Sequence, residues 1–168
     1  EVKTSELPSN FSKGFIAIVI GAQHFTKRMP NYKIIALCKS LPLPAVLIGG
    51  KEDLLNGKTI ESELGNSVYN ACGKYNLFQS ASIIKQSKLV ISHDTGMMHI
   101  AAAFNKKIIS IWGNTVPEFG MYPYMPQHSK NNFVAEVKNL SCRPCSKIGK
   151  TSCPKGHFKC MNDIDLDE

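Results

Sequence analysis

The residues best equipped for chemistry stand in short clusters: "GAQHFTKR" (residues 21–28), "GGKED" (49–53), "NACGKY" (70–75), "HDTG" (93–96), "GNT" (113–115), and four cysteines near the end, Cys142, Cys145, Cys153 and Cys160. The most suggestive is Asp94-Thr95-Gly96, the triplet with which aspartic proteases set two carboxylates around one proton to activate water. Its flanks point elsewhere. That chemistry needs an all-β frame and a second carboxylate-bearing loop, whereas here the triplet runs straight into "MMHIAAAF", an alanine-rich segment with helical character.

The clusters acquire meaning from the elements that place them. Short, β-branched apolar runs recur at residues 15–20 ("FIAIVI"), 45–50 ("AVLIGG"), 88–92 ("KLVIS") and 107–113 ("KIISIWG"), with shorter candidates at 67–73 and 132–137. Runs apolar throughout imply strands buried on both faces, the mark of a parallel sheet between helical layers. The segments between them read as helices: one opening at Pro30-Asn31 and ending before Pro42, one over 54–64, one following Asn76 as its cap, and one over 95–105 ending in Asn105-Lys106-Lys107, where cations suit the negative helix end. Alternation of this kind predicts an α/β fold, a doubly wound, mostly parallel Rossmann-like sheet, because right-handed crossovers lay successive helices on its faces. No repeat or low-complexity linker interrupts it, so residues 1–168 read as a single domain with a cysteine-rich tail at 140–161.

Each cluster then follows a strand, on the sheet edge where such folds bind ligands through glycine turns and helix amino termini. Thr95 and Gly96 begin a helix whose free N–H groups and positive dipole end suit a diphosphate. Gly113 and Thr115 offer a second close backbone approach, and Lys27 or Arg28 the counter-charge. Asp94 has two readings: a cap on the helix amides, or, if a phosphate takes those amides, a ligand for sugar hydroxyls. His99 lies one turn on and leans toward the same end. Glu52 or Asp53 can grip ribose hydroxyls, and Tyr75 can cover a base or pack on the following helix.

Bulk properties agree. The 168 residues suffice for one real core, no apolar run reaches bilayer length, and no secretory leader opens the chain, which together predict a cytoplasmic address. Twenty lysines and arginines against 13 acids, a net charge of +7, favour anionic company: nucleotides, sugar phosphates, nucleic acid, or peripheral contact with an acidic membrane face. A chain that opens at Glu1 without methionine reads as a piece of something longer.

The run "HDTGMMHIAAAFNKKIISIWGNTVPEFGMYPY" resembles the Asp-Thr-Gly-x-x-His-x-Ala-Ala segment of glycosyltransferase family 9, the ADP-heptose:lipopolysaccharide heptosyltransferases, with its ensuing strand, Gly-x-Thr turn and proline-aromatic loop. "TKRMP" is similar to the family's Lys-Arg-Trp-Pro, with Met29 for tryptophan, "GGKED" to its acidic turn, and "CRPC…CPKGHFKCM" to its cysteine-bearing ending, so the likeness spans nearly the whole chain in order. It implies the carboxyl-terminal half of a GT-B fold, which binds the nucleotide-sugar donor, here ADP-heptose, while a missing amino-terminal domain binds the lipopolysaccharide core acceptor. The resemblance places Lys27 at the diphosphate, Asp53 at the ribose, Tyr75 near adenine, Asp94 on the heptose, and Thr95 and Gly96 at phosphate; Gly21, Gln23, His99, Gly113 and Thr115 complete the expected donor site. It further implies inverting displacement without a required cofactor, and a general base on the missing domain, so that this chain holds no catalytic residue and is inactive alone.

Two features stand apart. Cys142-x2-Cys145, Cys153 and Cys160 have spacing compatible with a structural zinc site, with His157 as a substitute ligand, while Cys38 and Cys72 read as lone buried thiols. Charge and cysteines together also admit a basic zinc-binding nucleic-acid module, though aromatics interleaved with lysines are lacking. A nicotinamide dehydrogenase is disfavoured because no Gly-x-Gly-x-x-Gly follows the first strand.

Overall fold

The computed structural model of the chain describes residues 2–166; the two ends of the predicted 1–168 domain lie outside that range. Six strands form one sheet: β1 (Ile16–Val19), β2 (Ala45–Ile48), β3 (Val68–Asn70), β4 (Leu89–His93), β5 (Ile108–Trp112) and β6 (Asn132–Glu136). Their order is β3-β2-β1-β4-β5-β6 and every pairing is parallel. The chain therefore reverses its direction of travel between β1 and β4, and a crevice opens there beyond the carboxyl ends of the strands.

Alternate residues of each strand feed two separate cores, which explains why β1 and β2 are apolar at every position. On one face Ala17, Val19, Val46, Ile48 and Val90 pack against helices α3 (Leu77–Gln86) and α4 (Gly96–Ala103) through Ile83, Ile84, Met98 and Ala101. On the other, Ile16, Ile18, Leu47, Ile91 and Ile111 meet α1 (Asn31–Ser40) and α2 (Leu54–Leu64) through Ile34, Cys38 and Ile60. Among the described residues, no long helix covers the β5 side of this second face. That side is covered by residues 158–164, where Met161 of the short helix α5 (Lys159–Asn162) packs between the flanking Phe158 and Ile164. The cysteine-bearing tail is thus part of the core.

Local signals account for most boundaries. Asn76 accepts from the Gln79 amide while the Gln79 side chain accepts from the Asn76 amide, both at 2.9 Å, a reciprocal cap that fixes the start of α3. Cys38 and Cys72 are buried, and desolvation pushes both thiols up to about 12, which makes them inert packing groups. The opening segment was not legible as structure in the sequence: Val2, Leu7 and Phe11 bury against α3 and the first core, and the Val2 amide donates to the Ser82 hydroxyl.

Helix α2 contains one glycine whose role is steric. A β-carbon at Gly57 would run into the Asn70 carboxamide, which is itself pinned, accepting from the Cys72 amide at 3.0 Å and donating to the Leu54 carbonyl at 3.3 Å. Glycine to alanine inside a helix ordinarily stabilises by about 1 kcal/mol. Here the overpacking penalty exceeds that gain, and Gly57→Ala is expected to destabilise by about 1 to 2 kcal/mol in urea unfolding.

Candidate functional site

Three turns meet beyond the crevice: the one after β1 carrying Gly21 to Lys27, the one after β4 carrying Asp94 to Gly96, and the one after β5 carrying Gly113 to Thr115. A buried carboxylate ties them. Asp94 Oδ2 lies 2.7 Å from Lys27 Nζ and accepts the Thr115 hydroxyl at 3.1 Å, and the Lys27 ammonium also donates to the Asp94 carbonyl at 3.3 Å. The sequence left Asp94 open between a helix cap and a ligand group. Its carboxylate is committed to Lys27 and Thr115, and Thr95, the residue at the cap position of α4, makes no side-chain cap bond. The first amides of α4 are consequently left to an outside acceptor.

Two cavities open on that helix start. The larger, about 610 Å³, is walled by Gly21, Gly49, Glu52, Tyr75 and Ile100; the smaller, about 330 Å³, by His24, Lys27, Asp94, His99 and Met121. Gln23, Thr95 and Gly96 belong to both. The pair forms one bent groove, with the open helix terminus at its elbow. Its larger arm is mostly apolar, and its smaller arm is rimmed by a cation, an acid and an imidazole.

Placement of the remaining predicted residues separates ligand-facing from supporting groups. Asp53 also lines the larger cavity, yet it is only 1 % exposed: Oδ2 accepts the Gly50 amide at 2.9 Å, and Arg28 stands 3.6 Å from Oδ1. Burial raises its carboxyl above the ordinary carboxylate value, against the opposing pull of the Gly50 amide and Arg28. Glu52, its neighbour, is the exposed carboxylate of that turn. A β-carbon on Gly21 would collide with the Asp53 carboxylate, so glycine there permits the close seating of the first two turns. Tyr75 lines the larger cavity with its hydroxyl 3.3 Å from that of Tyr69, and burial pushes it up to about 12.

Gly113 and Thr115 are fully buried and wall neither cavity. A β-carbon on Gly113 would fall 2.5 Å from Met161 Cε and 2.9 Å from the Thr26 carbonyl, so its close backbone approach is to the tail and the first turn instead of a ligand. Thr115 reaches the site only through Asp94. Among the described residues, no group of three or more His, Cys, Asp or Glu is placed to hold a metal, yet the four cysteines gather in one place: burial, and then the charges of Cys145, Cys153 and Cys142, push the Cys160 thiol up to about 11. Cys160 is buried in the second core with Cys153 packed against it, and Cys142 Sγ lies 3.7 Å from His157 Nε2.

One residue that sequence reasoning passed over supports the site from below. His93, the last residue of β4, is buried, and its Nε2 accepts the Met29 amide at 2.9 Å, anchoring the segment that follows Lys27. This bond requires the neutral ring. Desolvation, aided by the nearby Arg28 charge, lowers His93 to about 4.

Comparison with known proteins identifies the family. The family profile described as Glycosyltransferase family 9 (heptosyltransferase) matches residues 2–154. Lipooligosaccharide heptosyltransferase 2 of Haemophilus ducreyi is 29% identical over 150 residues, covering 84% of this chain and 41% of that protein. Lipopolysaccharide heptosyltransferase 2 of Escherichia coli is 31% identical over 100 residues, 55% of this chain and 29% of the relative. The solved E. coli ADP-heptose LPS heptosyltransferase II aligns with a TM-score of 0.68 and 26% identity over 95% of this chain and 48% of that one. A family 9 glycosyl transferase from Veillonella parvula, at 21% identity, shares the fold with a TM-score of 0.73 over 98% of this chain and 45% of its own. The chain thus spans less than half the length of these relatives.

The neutral state of His93 has a measurable consequence. The unfolded chain takes up a proton near the ordinary histidine value of about 6.5, the folded chain only near 4, so the unfolded state binds more protons between those values. The stability this supplies is complete above about 6.5 and is lost as pH falls toward 4. Between about pH 7 and about pH 4, wild type is expected to lose about 3 kcal/mol more unfolding free energy than His93→Gln, whose side-chain oxygen can still accept the Met29 amide.

Proposed function

The chain belongs to glycosyltransferase family 9, and from that premise we propose that it is the donor-binding half of an inverting GT-B glycosyltransferase, which moves a heptose from ADP-heptose to a lipopolysaccharide core acceptor. The observation that carries this reading is the bent groove. A nucleotide sugar is two unlike bodies joined by a diphosphate, and here an apolar cavity and a polar one join at an uncapped helix terminus.

In this reading the nucleoside occupies the larger arm, with Tyr75 near the base and Glu52 as the carboxylate available to ribose hydroxyls; Asp53 braces the turn behind it. The diphosphate sits at the amides of Thr95 and Gly96, within reach of Lys27. The sugar lies in the smaller arm against Asp94 and His99. Ligand arrival exchanges partners: the diphosphate competes with Asp94 for the Lys27 ammonium, while Thr115 retains the carboxylate and leaves it oriented toward sugar hydroxyls.

Transfer then proceeds by direct displacement. An acceptor hydroxyl attacks the anomeric carbon from the face opposite the leaving group, the bond to the diphosphate breaks, and ADP departs with inverted configuration left at the sugar. Negative charge grows on the diphosphate oxygen, where the helix terminus and Lys27 oppose it, so the reaction as proposed needs no metal. The base that takes the acceptor proton belongs to the acceptor-binding domain. No helix among the described residues is long and apolar enough to cross a membrane; work at the cytoplasmic face, beside a lipid-linked acceptor, is part of the proposal. The alternative of a zinc-binding nucleic-acid module finds no support in the family match.

Calorimetry on the isolated chain tests the reading. ADP and ADP-heptose should bind in preference to UDP and GDP counterparts, and Lys27→Met should weaken both adenine ligands. Asp94→Ala should weaken ADP-heptose by about tenfold or more while largely sparing ADP, the loss of a charge-assisted hydrogen bond to the sugar; equal binding of all three bases would refute the assignment. In a radiolabel transfer assay the isolated 168 residues should show no turnover, and robust transfer would mean that the base lies in this chain.

A further inference from the structure

The tail carries one side chain with no role in the site as described so far. Arg143 stands between Cys142 and Cys145, walls neither cavity, and has a side chain only 7 % exposed. Its guanidinium donates to the Gly113 carbonyl at 2.6 Å, the Thr115 carbonyl at 2.9 Å and the Val137 carbonyl at 3.2 Å, and it pairs with Glu136 Oε2 at 2.6 Å. All of these partners lie between the end of β5 and the residue after β6. Both carbonyls that flank Asn114 are held by one planar group. The Cys145 amide adds a bond to the Asn114 carbonyl at 3.2 Å, so every peptide of the turn is fixed from the tail.

We propose that Arg143 is a positioning residue for Asp94, acting through Thr115. The inference rests on the donor-binding reading for its meaning in function. The Thr115 hydroxyl is the one Asp94 partner that survives when a diphosphate draws Lys27 away, and a hydroxyl can orient a carboxylate only as well as its own backbone is held. Arg143 supplies that hold. A guanidinium suits the task because its five donors lie in one plane and serve three carbonyls and a carboxylate together; an ammonium offers three donors at a single point. Glu136 neutralises the charge, which allows the fork to stay buried.

A merely structural arginine would affect both arms of the groove alike, whereas a positioning one affects the sugar arm. Titrations of wild type, Arg143→Met, Arg143→Lys, Thr115→Val and the Met/Val double variant with ADP and with ADP-heptose separate these cases, alongside amide hydrogen exchange on the unliganded proteins. Arg143→Met should weaken ADP-heptose by about tenfold and ADP by less than about twofold; lysine should not restore it, and Thr115→Val should add nothing to Arg143→Met. Exchange at Asn114 and Thr115 should accelerate while β1, β2 and β3 stay protected. Equal losses for the two ligands, additive effects of the two substitutions, or unchanged exchange at Thr115 would each overturn the proposal. Should wild type bind neither adenine ligand, it is the donor reading that fails, and exchange at Thr115 still decides whether Arg143 holds the turn.

Discussion

The Asp94 carboxylate is the point on which the arrangement turns. Three strand ends, those of β1, β4 and β5, send one side chain each to a single oxygen or carry it: Lys27, Asp94 and Thr115. Parallel strands place those ends side by side, but nothing in a sheet ladder fixes the loops beyond it. The shared carboxylate does so, and by accepting from outside α4 it refrains from capping the helix. An acid at this position that capped its own helix would occupy the amides that the groove presents. The commitment of Asp94 to its neighbours and the openness of the helix start are therefore one fact.

A second buried acid does comparable work on the other side of β1. Asp53 accepts from Gly50, faces Arg28, and lies against Gly21, so the turns after β1 and β2 close on it. The two acids differ in what surrounds them. Asp53 lies behind Glu52 at the larger cavity with Oδ1 lacking any hydrogen-bond partner, and desolvation raises its carboxyl. Asp94 borders a cavity and holds a cation that an anion can draw off. Equal residue types thus differ in the partners they hold, an amide and a guanidinium for one and an ammonium and a hydroxyl for the other, a distinction that one turn of sequence, "GGKED" or "HDTG", does not reveal.

Much of the frame was legible before any coordinates. Strand positions followed from apolar runs because burial on both faces leaves no polar alternation to misread, and the extents of α1, α2 and α3 followed from Pro30, the 54–64 pattern and the Asn76 cap. The candidate cluster was legible too, since strand ends mark where ligands can lie. What escaped was long-range. Gly113 looked like a backbone approach to ligand, yet it approaches Met161, 48 positions away in the chain and unmarked by any motif. The burial of Cys160 is likewise decided by a core that the cysteine spacing does not describe. His93 went unnoticed because a histidine ending an apolar strand carries no signal of the amide it will meet.

The tail illustrates why these gaps have a common cause. A doubly wound sheet needs both faces covered, and among the described residues no full-length helix returns to the second face beyond β5. Residues 158–164 supply the cover, which brings the chain between Val137 and Phe158 across the sheet's carboxyl edge. Once there, it contacts both flanks of the crevice: Arg143 and Cys145 on the turn after β5, and Lys150 on the turn after β1, where its amide donates to the Thr26 hydroxyl at 2.8 Å and its carbonyl accepts the Thr26 amide at 3.1 Å. Thr26 immediately precedes Lys27, and Thr115 holds Asp94. A requirement of packing on one face of the sheet thereby steadies the neighbours of Lys27 and Asp94, the pair whose exchange is proposed on donor binding, and the segment that reads in sequence as an appended cysteine motif becomes the back wall of the candidate site.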